Sequence, residues 1–254
     1  VVRDLCPAGR AGCSLRSGWP GSAARKVATR EDPLTGPENA DTKAAVIDLL
    51  GVLAYATLIG FDRMADDARL APDLRRRAML AVMAADEMRN YELLAARLEE
   101  LGADPEAAMA PFAEPLEAFH GATAPRTWLE GLIKAYVGDG IADDFYREVA
   151  EFLPEEADRT LVQQVLHDTR HADFAVAEVR AAIEGDPTVA GRLALWARRL
   201  VGEAFSQAQR VAAEREALTD LVVAGSGDIT GIGELFKRLT SAHSARMKAL
   251  GLSN

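Results

Sequence analysis

Apolar residues recur at helical spacing along the chain from Asp41 to Leu250, and the pattern predicts five long helices and a shorter last one. The first runs from about Lys43 to Leu70 with Val46, Leu50, Leu53, Thr57 and Met64 on one stripe, and Pro72 ends it. The second spans about Asp73 to Leu101 and turns Leu80, Met83, Glu87, Asn90, Leu94, Leu98 and Leu101 inward. It stops at Gly102, a residue suited to the left-handed backbone of a helix end. A crossover punctuated by Pro105, Pro111, Pro115 and Pro125 follows, helical only around Pro115 to His120. Thr127 caps the third helix, whose inner face carries Trp128, Leu132, Ala135, Asp139, Tyr146 and Leu153. The fourth extends from near Pro154 to Gly185 and buries Leu161, Val165, Asp168, Ala175, Val179 and Ile183. The fifth, from Pro187 to about Leu218, buries Leu193, Trp196, Leu200, Glu203 and Gln207. Ala224 to Asp228 reads as a Gly-Ser linker before a last helix from about Ile232 to Leu250.

Two helix pairs joined by a long crossover define an all-α fold, a ferritin-like four-helix bundle with additional C-terminal helices. Polar positions on the inner faces fall at matching depths. Thr57 precedes Glu87 by 30 residues and Asp139 precedes Asp168 by 29, so antiparallel stacking of the pairs brings all four to mid-bundle. The second and fourth helices also look like two copies of one unit. DEMRNYELLAARLEELG (Asp86 to Gly102) and HDTRHADFAVAEVRAAIEG (His167 to Gly185) align at an offset of 81, which lays Glu87 on Asp168 and Asn90 on His171.

Residues three apart share a helix face, so Asp168 and His171 can hold one metal ion between them. A di-iron carboxylate site in such a bundle takes one acid from each of two helices and an acid-x-x-His from each of the other two. Glu87, Asp139, Asp168 and His171 occupy four of those six positions, and Thr57 and Asn90 stand at the other two. A hydroxyl and an amide bind ferrous iron weakly, so these residues predict at most one tightly held iron. Glu203 and Gln207 are candidates to hydrogen-bond the ligands from behind.

Each of these residues also has a plainer role. Asp168 and His171 could be a buried hydrogen-bonded pair, and Glu203 and Gln207 satisfied core polars. Asp139 lies in Gly138-Asp139-Gly140, where the bare backbone serves either a ligand beside the carboxylate or close helix packing. Arg75-Arg76-Arg77 and Arg198-Arg199 read as solvated faces, and His120, His167 and His243 as surface or crossover residues.

Five stretches carry a family resemblance: LLGVLAYATLIGFDRMADDARLAP, AADEMRNYELLAARLEELG, WLEGLIKAYVGDGIADDFYRE, DTRHADFAVAEVR and RLALWARRLVGEAFSQAQRVAAER. With them the body from about Ala45 to Leu250 resembles the actinobacterial ferritin-like family related to the tRNA isopentenyl-adenosine hydroxylase, a non-haem di-iron monooxygenase. The resemblance implies iron, one or two ions per chain, dioxygen chemistry, a modified tRNA nucleoside or other small molecule as substrate, and a redox partner. The hydroxylase pattern has glutamates at positions 57, 139 and 168 and a histidine at 90, where this chain has Thr57, Asp139, Asp168 and Asn90.

Composition narrows the remaining classes. At 254 residues with 49% apolar and few aromatic side chains, the chain suits one large helical domain or two small ones. No run of about 18 uninterrupted apolar residues occurs, so no membrane span is expected. Residues 1 to 30 hold six basic side chains against one acid, rich in Gly, Ser and Pro and without helical period, and they read as an extension up to about residue 40 that folding does not need. That leaves the body more acidic than the chain's net −10, which counts against broad attraction to nucleic acid or anionic lipid. Cys6 and Cys13, the only cysteines, lie in this extension, and a body without cysteine points to a reducing, cytoplasmic setting. No phosphate loop, nucleophile elbow or zinc signature is present.

Three functions then remain: an iron- and dioxygen-dependent oxidoreductase, a metal-free ferritin-like binding or interaction module, and iron storage, the last disfavoured by the incomplete ligand set. A homo-oligomer is compatible with each.

Overall fold

The computed structural model describes residues 37–167 and 170–253, with side chains from residue 41 onward. The expected N-terminal extension and Asp168 both lie outside the described residues. Helices dominate and no strand occurs among the described residues.

Helix α1 (Pro37–Asp67) runs into a 3₁₀ turn at Ala68–Leu70, and α2 (Leu74–Glu100) packs antiparallel along it. Asp73 caps α2 by accepting from the Arg76 amide at 2.9 Å. At the far end Gly102 takes φ 74°, and the Ala103 amide reaches back to the Leu98 carbonyl at 2.9 Å. The segment Asp41–Leu70 is long and apolar enough to cross a membrane by length and composition, yet most of it is buried here between α2 and the helices below.

The crossover, expected to be only partly helical, is a helix over most of its length, α3 (Pro105–Ala122), which leaves Pro125 outside it. Asp104 caps it and Pro105 suits its first turn, while Pro111 and Pro115 sit inside it at a cost of about 3 kcal/mol each in lost hydrogen bonding and crowding. Burial of Phe112, Met109 and Ala108 against α1 offsets that cost. The approach is so close that a Cβ at Gly51 would collide with the Ala108 carbonyl.

The second pair is less regular than the sequence suggests. Thr127 does cap the next helix, accepting from the Glu130 amide at 3.3 Å. That helix, however, is α4 (Trp128–Ile133), a π-helical stretch Lys134–Asp139 and α5 (Gly140–Ala150). The fourth predicted helix is two, α6 (Glu156–Val165) and α7 (Arg170–Gly185), with a turn at Leu166 and His167. The fifth also breaks, at Arg215, into α8 (Val189–Glu214) and α9 (Glu216–Ser226), so most of the supposed linker is helical. Asp228 then caps α10 (Ile229–Leu250).

Apolar side chains gather in two clusters. One joins Leu49, Leu50 and Leu53 of α1 to Leu94 and Leu98 of α2, Phe112 of α3, Val149 at the end of α5 and Val162 of α6. The other joins Phe119 of α3 to Leu132 and Val137, Phe174 and Val179 of α7, Leu193 and Leu200 of α8, and Met247 of α10. Several helices contribute to both, and the residues they carry in between are polar. On α2, Glu87 and Asn90 separate Met83 from Leu94; before and within α5, Asp139 and Asp143 separate Val137 from Val149; on α8, Gln207 separates Ala204 from Val211.

Candidate functional site

This mid-bundle layer is the candidate site. Thr57 stands at its edge on α1, buried, and donates its hydroxyl to the Ala54 carbonyl of its own helix at 2.9 Å. One turn on, the Glu87 side chain of α2 lies against Gly60, where a Cβ would meet its Cδ at 3.9 Å. Asn90 donates its amide to the Val165 carbonyl at 3.4 Å, and Arg147 donates to the Leu166 carbonyl at 2.5 Å. Side chains from α2 and α5 thus reach the two carbonyls at the end of α6, just before the turn at Leu166 and His167.

From the second pair come the charges. On an α-helix, residues five apart project about 140° from each other. The i to i+5 register of a π turn brings them back to nearly the same face, and Lys134 and Asp139 are so related. Lys134 is only 4% exposed. Its ammonium donates to the His120 carbonyl at 3.5 Å and lies 5.6 Å from the Phe119 ring centroid, with no direct ion pair among the described residues. Asp67, from the end of α1, lies against Gly131, one turn before Lys134; a Cβ there would be 2.8 Å from its Oδ2.

Burial pushes these groups toward their neutral forms. It raises Asp67 to about 6, with the Lys134 charge opposing the rise. It raises Asp143 to about 6 and lifts Asp139 well above the usual carboxylate range, the latter again opposed by Lys134 and reinforced by Asp143 and Glu87. Lys134 itself is lowered by burial, against the pull of Asp139 and Asp67. Tyr146 is raised by burial and by the charges of Asp143 and Asp139. His120 lies in the crossover, one of the two positions expected for it, but is buried there, and burial together with Lys134 and Arg63 lowers it to about 3.

The glycines flanking Asp139 serve close packing. A Cβ at Gly138 would sit 3.1 Å from Phe119 Cζ, and one at Gly140 3.1 Å from Arg246 Nε. Gln207 and Glu203 are half-buried on α8, and the Gln207 amide oxygen is buried without a hydrogen-bond donor among the described residues. His171 lies in the first turn of α7, after the break. Asp168, its expected partner three residues earlier, lies outside the described residues.

A pair of iron ions fits this donor set poorly. Both positions that lack a carboxylate or imidazole are committed to backbone carbonyls, and a lysine contributes positive charge to the layer. Among the described residues, no three His, Cys, Asp or Glu side chains gather closely enough to hold a metal ion. Lys134 does not stand out in the sequence as a site residue, and His120 reads there only as a surface or crossover residue. A signal existed for Lys134, a lone cation inside the apolar run GLIKAYVG.

A family model of the ferritin-like domain of actinomycetes matches residues 40–225. Comparison with curated proteins gives no significant match.

Proposed function

Since the chain belongs to the actinomycete ferritin-like domain family, we propose that it is a metal-independent member, a binding or interaction module whose mid-bundle polar layer is tied into the fold. One observation carries this reading: Thr57 and Asn90, which stand where a di-iron site needs an acid and a histidine, spend their polar groups on the backbone carbonyls of Ala54 and Val165. Lys134 adds to it, because its ammonium, when protonated, would repel a divalent ion in the layer. Metal content tests it directly. Protein purified, loaded anaerobically with ferrous iron and desalted retains less than about 0.2 iron per chain, and its thermal midpoint does not rise. Stoichiometric retention of iron overturns the reading.

A second reading rests on Glu87 and Asp139, which lie close enough in the layer for the Glu87 charge to raise Asp139. In it Glu87, Asp139, Asp168 and His171 would hold one iron, which would supply redox chemistry with dioxygen in a reducing, cytoplasmic setting. The hydroxylase resemblance would then make a modified nucleoside, free or in tRNA, the substrate class. Retention of a single iron that Asp139→Asn abolishes favours this reading over the first.

A further inference from the structure

Among the described residues, the outward face of α2 carries a row of exposed side chains. Viewed down the helix, Leu74, Ala78, Ala81, Val82 and Ala85 fall opposite the buried Leu80, Leu94 and Leu98. Leu74 is 82% exposed, Val82 57% and Leu93 41%. A shallow groove of about 300 Å³, lined by Ala78, Met79, Val82, Met83 and Arg170, runs beside this ridge. An apolar strip of this extent on an otherwise strongly charged chain is characteristic of an interface.

Charge along the same face is polarised. Arg75 and Arg77 are exposed near its start, and Glu92 and Glu99 near its end. Among the described residues, the ion pairs of this helix join Arg76 to Asp73 and Glu178, Asp86 to Arg89 and Arg170, and Arg97 to Glu100 and Asp158, and they leave those four out.

We propose that two copies of this chain pair through α2, antiparallel, about a two-fold axis beside Ala85. That register sets Arg77 of each copy opposite Glu92 of the other, and turns Leu93 of each toward the groove beside Val82 of the other. The occupant is a second copy because the helix is its own charge complement: end-for-end rotation exchanges the basic half with the acidic half. A partner of one charge sign would match only half of the face. The pairing is independent of what the mid-bundle layer holds.

Sedimentation equilibrium of the full chain tests it. The expected result is a dimer at micromolar concentration. Val82→Asp, at an exposed position near the axis, gives a monomer with unchanged helix content and thermal midpoint. Arg77→Glu weakens pairing by about tenfold or more, and adding Glu92→Arg restores it to within about threefold of the parent. A parent that stays monomeric at about 100 μM overturns the proposal, as does a dimer that survives Val82→Asp, which would place the contact elsewhere. Iron content measured on the same samples reports separately on the interior layer, so either conclusion can fail alone.

Discussion

Charge is buried in two ways in this bundle. At one end, Asp158 of α6 is buried under Arg97 of α2, with Nε 2.6 Å from Oδ1, and Asp48 of α1 receives two hydrogen bonds from Arg215 at the α8–α9 break. In the middle, Asp67, Lys134, Asp139 and Asp143 share one layer, and among the described residues Lys134 reaches none of the acids directly. Direct partners let an ionised group remain ionised out of water; without them, burial drives it toward neutrality. The end pairs fasten helix to helix. Two backbone irregularities lie in the middle layer: the π stretch at Lys134–Asp139, and the α6–α7 turn beside which Asn90 and Arg147 bind the Val165 and Leu166 carbonyls.

The largest effect should come from breaking an end pair. Arg97→Met leaves the Asp158 carboxylate buried with no cation, and the expected loss is about 3–5 kcal/mol in urea unfolding at neutral pH. Arg97→Met/Asp158→Leu should recover most of it, because the packed apolar pair leaves no charge stranded. A single-variant loss under about 1 kcal/mol would mean that the pair is solvated and that the two classes do not differ.

Next in size is His120, and the sign of its effect is fixed. Its ordinary value near 6.5 falls to about 3 in the fold. The unfolded chain therefore takes up a proton below pH 6.5 that the folded chain refuses, and stability is lost as pH falls from 6.5 toward 3. His120→Phe removes that loss. At about 1.4 kcal/mol per unit, the variant should lose roughly 2–3 kcal/mol less than the parent between pH 6.5 and 4.5. Asp67 and Asp143, raised to about 6, act in the opposite direction but are common to both proteins. Equal acid sensitivity in parent and variant would show that the imidazole reaches solvent.

The helices and their connectivity were legible because long amphipathic segments with marked ends, such as Asp73 to Gly102, leave little ambiguity in period or boundary. The crossover helix was hidden by Pro111 and Pro115, whose local penalty tertiary burial of Phe112 overrides. The break after Val165 was hidden for the opposite reason, since apolar periodicity continues straight through it into Ala175 and Val179. At the candidate site, the sequence placed Thr57, Glu87 and Asp139 on inner faces at matching depth. It gave no sign that Thr57 and Asn90 would turn to backbone carbonyls, because the acceptor of Asn90 lies at the end of α6, an end that the apolar pattern does not mark.

A smaller loss is expected for Asn90→Ala. Its amide donates to Val165 at 3.4 Å, a long bond, so about 1 kcal/mol should be lost on truncation. Hydrogen exchange would sharpen the result: amides at the start of α7 should lose protection in the variant while those of α1 keep theirs. Unchanged protection would show that Arg147 alone secures the break.

The smallest effect should be Lys134→Met, the same kind of change as Arg97→Met made in the other region. Methionine matches the unbranched shape of lysine and fills its apolar surroundings. The substitution removes an ammonium that burial already penalises and whose one direct acceptor, the His120 carbonyl, is 3.5 Å away. It also removes attraction to Asp139 and Asp67, but burial holds both carboxyls above their usual range, so less charge is stranded than at Asp158. Gain and loss should nearly cancel, leaving stability at neutral pH within about 1 kcal/mol of the parent. A loss of about 3 kcal/mol or more would mean that Lys134 pairs directly with an acid in solution, and that the middle layer holds its charges as firmly as the end pairs hold theirs.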